Sequence, residues 1–136
     1  MHHLLSPKVH GIIDYLAVAM LAVAPALFGF AGIAAYLCYA SAVGLLGLSL
    51  LTAYPLGIAH VIPFTIHGGI EVGMTLALVA APWLFGFSDV PAARNFFLIS
   101  GVALGAVYLA TNYKAADSYR KERPIAVTRE SYGWRT

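Results

Sequence analysis

Long apolar runs separated by short polar breaks dominate the chain. Four runs cover residues 7–30, 31–53, 63–87 and 95–113. Each has the roughly 17–25 residues that an α-helix needs to cross the hydrocarbon core of a bilayer. The runs are continuous, whereas the strands of a membrane β-barrel alternate apolar and polar residues over about 10 positions. The pattern therefore predicts an all-α fold, a bundle of four transmembrane helices.

Prolines mark several of the predicted helix ends. Ser6 followed by Pro7 is typical of an N-cap with proline at the first helical position, and Pro63 stands at the start of the third run. Pro25 and Pro82 lie near the ends of the first and third runs. Because proline interrupts helical hydrogen bonding, these two residues predict a helix end or a kink before a tight turn.

The composition narrows the class of protein and its partners. Hydrophobic residues make up 60% of the 136-residue chain, charged residues only 10%, and the mean hydropathy is +0.79. Soluble domains are about 45–50% apolar and about 25% charged. A net charge of +2 gives no basic patch for nucleic acid, and the single cysteine, Cys38, excludes an internal disulfide. The predicted partner is the lipid bilayer, with no nucleic acid.

The second half of the chain repeats the first at an offset of 57 residues. The shift pairs identical or similar residues at several positions: His3 with His60, His10 with His67, Gly11 with Gly68, and Asp14 with Glu71. We therefore predict one transmembrane domain over residues 1–113, made of repeats 1–54 and 58–113, followed by a polar tail, 114–136. Each repeat crosses the membrane twice, so both have the same orientation and are related by a two-fold axis along the membrane normal.

The lysines and arginines predict the orientation in the membrane. With four spans, seven of the eight lie on the side of both termini: Lys8, Lys114, Arg120, Lys121, Arg123, Arg129 and Arg135. The other side has only Arg94, which the pattern assigns to the loop 88–94. Because cytoplasmic loops carry the excess of basic residues, we expect a multi-pass protein of the bacterial inner membrane with both termini and the tail in the cytoplasm.

Two copies of one short motif resemble a known family. Residues 24–30 and 81–87 both follow the pattern Ala-Pro-x-Leu-Phe-Gly-Phe. This pattern resembles the Ser-Pro-Trp motif of the small bacterial SPW-repeat membrane proteins. Ala24 and Ala81 replace the serine and Ala26 replaces the first tryptophan, so only Pro82-Trp83 keeps that pair. The His-Gly-x-x-Asp/Glu elements resemble a subgroup of such proteins. The resemblance implies a four-helix membrane fold and no particular activity.

Two histidine–acid pairs are the candidate chemistry. His10 and Asp14 are four residues apart, as are His67 and Glu71, so each pair shares one helix face. If the first and third helices face each other, the two imidazoles and two carboxylates converge near the cytoplasmic side. Intramembrane ionisable residues mark functional sites by default. The donor set predicts a divalent transition metal such as zinc, iron or manganese.

Other repeated residues are candidates for supporting roles. His3 and His60 precede the paired histidines by seven residues and are further candidate metal ligands. Tyr54 and Tyr113 end the even-numbered helices on the same side and are expected to hydrogen-bond the carboxylates. Four glycines, at positions 11, 68, 69 and 73, predict close approach between helices.

Two other interpretations of the histidines stay open. His10 and His67 are also suitable as the two axial ligands of a b-type haem in an electron-transfer protein. Alternatively, the pairs are structural and the chain is an accessory subunit without a cofactor. In either case we expect a homo-oligomer or a component of a larger membrane complex. As a metal centre, the site suits a sensor, a carrier or a redox protein, and the sequence does not decide whether the protein is an enzyme.

Overall fold

The computed structural model describes residues 4–115 and contains four α-helices. In chain order they are α1 (Pro7–Phe28), α2 (Gly32–Leu51), α3 (Phe64–Leu84) and α4 (Pro91–Ala110). Within the described residues there is no strand, so the all-α, four-helix prediction is confirmed. All four helices are long and apolar enough to cross a membrane. The predicted tail lies outside the described residues, apart from Lys114 and Ala115.

Local sequence features explain where the odd-numbered helices begin and end. Ser6 is the N-cap of α1, its Oγ accepts a hydrogen bond from the amide of Val9 at 3.3 Å, and Pro7 is the first helical residue. Both α1 and α3 contain a proline in their last turn and end within three residues of it. Gly29 follows α1 with φ = 71°, a left-handed conformation that glycine adopts without strain.

The predicted start of the fourth helix is wrong by four residues. We expected it near Asn95 with Arg94 in the preceding loop, but α4 begins at Pro91 and includes Arg94. Proline is favourable at a first helical position because the missing amide proton has no partner there. The Arg94 guanidinium donates to the carbonyl oxygen of Ser88 at 3.2 Å, so the charge is accommodated at the helix start.

Helix packing is tightest within each hairpin, between α1 and α2 and between α3 and α4. The prediction that Gly69 and Gly73 bring helices together is wrong, because both are exposed and nothing lies near the position of a Cβ atom. Close approach occurs instead at Gly101 on α4, where an added Cβ would lie 2.7 Å from a methyl group of Val79 on α3.

The two halves of the chain are linked at the end of the bundle where α1 and α3 begin. Leu5, before α1, forms a parallel bridge with Thr111, just after α4. Ile62, before α3, forms the equivalent bridge with Thr52, just after α2. Each repeat therefore fixes the end of the other, and both bridges lie next to the histidines.

Candidate metal centre

Four ionisable side chains meet inside the bundle, one turn into α1 and α3. They are His10 and Asp14 on α1 and His67 and Glu71 on α3, and each is at most 1% exposed. One potential ligand atom from each residue lies within 4.8 Å of the other three. The spacing of four residues along each helix supplies one imidazole and one carboxylate per repeat, and the packing brings the two pairs together.

Each imidazole Nε2 lies between the two carboxylates at nearly equal distances. His10 Nε2 is 3.3 Å from Asp14 Oδ1 and 3.2 Å from Glu71 Oε1. His67 Nε2 is 3.3 Å from Asp14 Oδ2 and 3.3 Å from Glu71 Oε1. Neither Nε2 nor Glu71 Oε1 has a hydrogen-bond partner, although all three atoms are buried.

Threonine hydroxyls hold the opposite nitrogen of each ring. Thr111 Oγ1 is 2.8 Å from His10 Nδ1 and donates its own proton to the carbonyl oxygen of Val107 at 2.6 Å. Thr52 Oγ1 is 2.7 Å from His67 Nδ1 and donates to the carbonyl oxygen of Leu48 at 2.6 Å. A hydroxyl has one proton, so each threonine must accept the hydrogen bond from Nδ1–H.

This arrangement places a proton on Nδ1 of both histidines. A neutral imidazole with its proton on Nδ1 has a lone pair on Nε2, and that lone pair faces the carboxylates. Carboxylate oxygens also carry only lone pairs. With both imidazoles neutral, four electron-pair donors converge on the centre, a donor set suited to a metal ion. Metal-bound histidines commonly donate their other ring N–H to an oxygen in this way.

Hydroxyl groups of two tyrosines that follow the even-numbered helices, and of Ser49 on α2, hold the carboxylates. The hydroxyl of Tyr113 donates to Glu71 Oε2 at 2.8 Å. Asp14 Oδ2 accepts longer hydrogen bonds from Tyr54 at 3.4 Å and from Ser49 at 3.3 Å. Burial raises the pKa of both tyrosines above the ordinary value, and the neighbouring carboxylates raise it further. Both phenols therefore keep the proton that they donate.

The glycines beside the histidines make room for these tyrosines. A Cβ atom at Gly11 would lie 2.5 Å from a ring carbon of Tyr54, and one at Gly68 would lie 2.7 Å from a ring carbon of Tyr113. Our prediction that Gly11 and Gly68 mediate contact between helices is therefore wrong. Their role is to let each tyrosine ring pack closely against the helix that carries the carboxylate it contacts.

Phe64 closes the centre on the side where α1 and α3 begin. Its side chain is 1% exposed and its ring lies 5.4 Å from that of Tyr54 and 4.6 Å from that of Tyr113, measured between centroids. The same ring contacts both imidazoles edge-on, at 5.1 Å from His10 and 5.7 Å from His67. These aromatic contacts separate the four polar side chains from water.

The remaining histidine candidates do not join the cluster. His60 is exposed in the connection between α2 and α3, where its Nε2 bonds the carbonyl oxygen of Gly57 at 2.8 Å. Its backbone φ is 52°. His60 therefore lies apart from the four clustered side chains. His3 lies outside the described residues.

Sequence reasoning missed three polar contributors to the centre. Thr52 and Thr111 hold the imidazoles, and Ser49 reaches Asp14. The threonines were detectable, because Thr-x-Tyr occurs at residues 52–54 and again at 111–113. Ser49 has no such signal, since Tyr108 takes its place in the second repeat.

Comparison of the chain with protein-family models, with curated proteins and with solved structures gives no match. The function must therefore be inferred from the geometry of the centre.

Proposed function

We propose that the protein is a membrane protein whose four-helix bundle holds one divalent transition-metal ion between His10, Asp14, His67 and Glu71. The observation that carries the proposal is the arrangement of the two Nε2 atoms, each buried without a hydrogen-bond partner and nearly equidistant from two carboxylate oxygens. Ligands that lie about 2.0–2.1 Å from a tetrahedral ion are about 3.3–3.4 Å from one another. The N···O separations of 3.2–3.3 Å match this spacing, with Glu71 Oε1 facing both rings and Asp14 facing His10 with Oδ1 and His67 with Oδ2.

The charge balance also supports a divalent ion. Two neutral imidazoles and two carboxylates carry a total charge of −2, which one divalent cation neutralises. An uncompensated charge in a membrane interior is strongly unfavourable, whereas a neutral metal–ligand unit is not. Tetrahedral coordination by two nitrogen and two oxygen atoms favours zinc, and iron and manganese also accept this donor set.

The second candidate is a structural role in which protons replace the metal and each histidine is a cation. The N···O distances between the histidines and the carboxylates disfavour this structural role. A charge-assisted N–H···O bond is about 2.7–2.9 Å long and directed at one acceptor. Here each nitrogen lies at 3.2–3.3 Å from two acceptors and makes no hydrogen bond to either.

Haem fits the centre less well than a bare ion. In a bis-histidine haem the porphyrin occupies the plane between the two axial nitrogens. In this protein, carboxylate oxygens occupy that space, within 3.3 Å of both His10 Nε2 and His67 Nε2. A porphyrin would have to displace both Asp14 and Glu71 from the interior of the bundle.

Burial of the ligands favours a resident ion over a transported one. A carrier must exchange its ion with water, but all four ligands are at most 1% exposed and Phe64 covers them. We therefore favour a permanent metal centre: structural if the ion is zinc, and available for electron transfer or sensing if it is iron or manganese.

The location and assembly of the protein belong to the same proposal. The excess of basic residues at the two chain ends supports an inner-membrane protein with cytoplasmic termini and the metal centre near the cytoplasmic face. The resemblance of residues 24–30 and 81–87 to SPW-repeat proteins agrees with a bacterial membrane origin. Assembly as a homo-oligomer or as a subunit of a larger complex stays a prediction.

The decisive experiment measures metal content and the optical spectrum of the detergent-purified protein. We expect about one divalent ion per chain, since each repeat supplies half of one tetrahedral site. His10→Ala and Glu71→Ala should each remove the ion completely, although they alter different repeats. His60→Ala is the matched control, because this exposed histidine lies outside the cluster and the variant should keep its metal.

Other outcomes would identify the alternatives. A Soret band that disappears in His10→Ala would assign haem. A colourless, metal-free protein that stays metal-free after incubation with zinc, iron or manganese would overturn the proposal in favour of the structural role.

A further inference from the structure

A cavity of about 530 Å³ enters the bundle between α1 and α4. Its deep wall contains buried core residues, among them Leu21, Leu45 and Leu78. Its mouth is bordered by exposed apolar side chains, Met20, Phe28 and Ile99, on the surface that faces lipid. The volume lies within the range of about 300–1,000 Å³ that is typical of small-molecule sites. A molecule dissolved in the bilayer can therefore reach the bundle interior.

The cavity extends to the metal centre on one side only. Asp14 belongs to its lining. The equivalent cavity between α2 and α3 has a volume of about 230 Å³, and Glu71 is not among the residues that line it. The repeats also differ at two positions near these cavities. Glu71 is one methylene longer than Asp14, and Met74 stands at the position of Ala17.

The polar residues of the larger cavity restrict what can bind there. They are Asp14, Asn95 and Ser100, and no lysine or arginine lines this cavity among residues 4–115. An anionic head group would thus have no counter-charge. An ionised carboxylate only accepts hydrogen bonds, so a ligand beside Asp14 has to donate one.

We propose that this cavity binds a neutral lipid-soluble molecule with a hydroxyl head and a hydrocarbon chain. The hydroxyl lies beside Asp14 and the chain follows the apolar walls between α1 and α4 to the lipid. The hydroxyl oxygen is thereby next to the metal ion. This last point rests on the function proposed above, whereas binding of the chain in the cavity does not. Because the larger cavity reaches Asp14 and the smaller one does not reach Glu71, the centre is accessible from the bilayer on one side.

Photolabelling of the detergent-purified, full-length protein tests the proposal. The probe is a twelve-carbon alcohol with a diazirine in its chain, and the labelled residues are identified by mass spectrometry. Ala17→Met narrows the cavity with the residue that the second repeat already has, and should reduce labelling of α1 and α4 about tenfold, the effect of about 1.4 kcal/mol. Ala77→Met, which copies Met20 into the other cavity, is the matched control and should leave that labelling unchanged.

Competition between unlabelled compounds and the probe identifies the head group that the cavity accepts. Unlabelled dodecanol should suppress the labelling, while dodecanoate and dodecylamine should not. Equal labelling of all four helices, insensitivity to Ala17→Met, or stronger competition by either charged compound would overturn the proposal. A loss of labelling when the protein self-associates would also overturn the proposal, because a second copy of the chain would then occupy the cavity.

Metal analysis of the same samples separates this proposal from the preceding one. Specific labelling of α1 and α4 in a metal-free protein would support the binding cavity and contradict the metal centre. A metal-loaded protein with unspecific labelling would support the metal centre and contradict the binding cavity.

Discussion

At the scale of single residues, two threonine hydroxyls fix which imidazole nitrogen faces the centre and which carries a proton. Thr52 and Thr111 donate their protons to helix carbonyls and can only accept from the imidazoles. The lone pairs of His10 and His67 consequently point to the centre. Without these hydroxyls, either ring is free to adopt the other tautomer, whose Nε2–H would donate to a carboxylate and could not bind metal.

We therefore expect Thr52→Val and Thr111→Val each to weaken metal binding about 10- to 100-fold, the usual effect of losing the hydrogen bond that orients a metal-bound histidine. Competition with a coloured chelator measures the change. The matched variants Thr52→Ser and Thr111→Ser keep the hydroxyl and should retain most of the affinity. Equal losses in the valine and serine variants would contradict the role assigned to the hydroxyl.

The two tyrosines should differ in importance. Tyr113 donates to Glu71 at 2.8 Å, whereas Tyr54 is 3.4 Å from Asp14, which Ser49 also contacts. Hydrogen bonds to charged groups are worth about 1.5–3 kcal/mol at good geometry and weaken with distance. Tyr113→Phe should thus lower metal affinity clearly more than Tyr54→Phe, as measured by titration. The reverse order would be inconsistent with these distances.

At the scale of elements, the segments after α2 and α4 contribute side chains to the centre, as the helices do. Each segment returns a tyrosine to the surface of the odd-numbered helix of its own repeat, and glycine on that helix accepts the ring. The helices supply the ligands at a spacing of four residues, but the connecting segments supply every hydroxyl except that of Ser49.

Adjacent glycines on α3 provide a direct test of this packing. Gly68→Ala would place a methyl group 2.7 Å from the Tyr113 ring, so we expect a loss of about 1–3 kcal/mol in stability and weaker metal binding. Gly69→Ala has open space and should be neutral or stabilise the helix by up to about 1 kcal/mol. Thermal unfolding in detergent measures both. Equal effects would show that helix propensity, and not contact with the tyrosine, governs these positions.

At the scale of the whole molecule, the four-residue cluster connects the two repeats. His10 of the first repeat bonds Thr111 of the second, and His67 of the second bonds Thr52 of the first. Each repeat also contributes one imidazole and one carboxylate. A bound ion therefore stabilises the folded bundle as a unit, because only the assembled halves present four ligands.

Removal of the ion should consequently destabilise the entire protein. A ligand present at 100 times its dissociation constant stabilises the folded state by about 2.7 kcal/mol. We expect a chelator to lower the unfolding temperature of the unaltered protein and of His60→Ala, but not that of His67→Ala, which has no ion to lose. An unfolding temperature that the chelator leaves unchanged in the unaltered protein would argue against a bound metal.

The proposed orientation of the whole bundle rests on the distribution of its basic residues. Reporter fusions after Thr136 and within residues 88–90 should report the cytoplasm and the opposite side, respectively, because only Arg94 lies near the second position. A C-terminal reporter that is active outside the cytoplasm would reverse the proposed position of the metal centre.

The sequence by itself determined the number of helices, their approximate ends and the histidine–acid pairs. These features depend on local periodicity, on the length of apolar runs and on proline, all of which are visible along the chain. The fourth helix shows the limit, because Arg94 interrupts the apolar run although the backbone remains helical around it. A charged residue can interrupt an apolar run without ending the helix.

Only the tertiary structure decided which atoms face one another. His67 lies on α3 and is buried, whereas His60 is exposed in the segment before it, and whether Gly68 contacts a helix or a tyrosine depends on the path of the segment after α4. The tautomers depend on threonines that are 15 and 101 residues away from their histidines. Such contacts join residues far apart in the chain, so no local pattern specifies them, and the three-dimensional packing of the two repeats does.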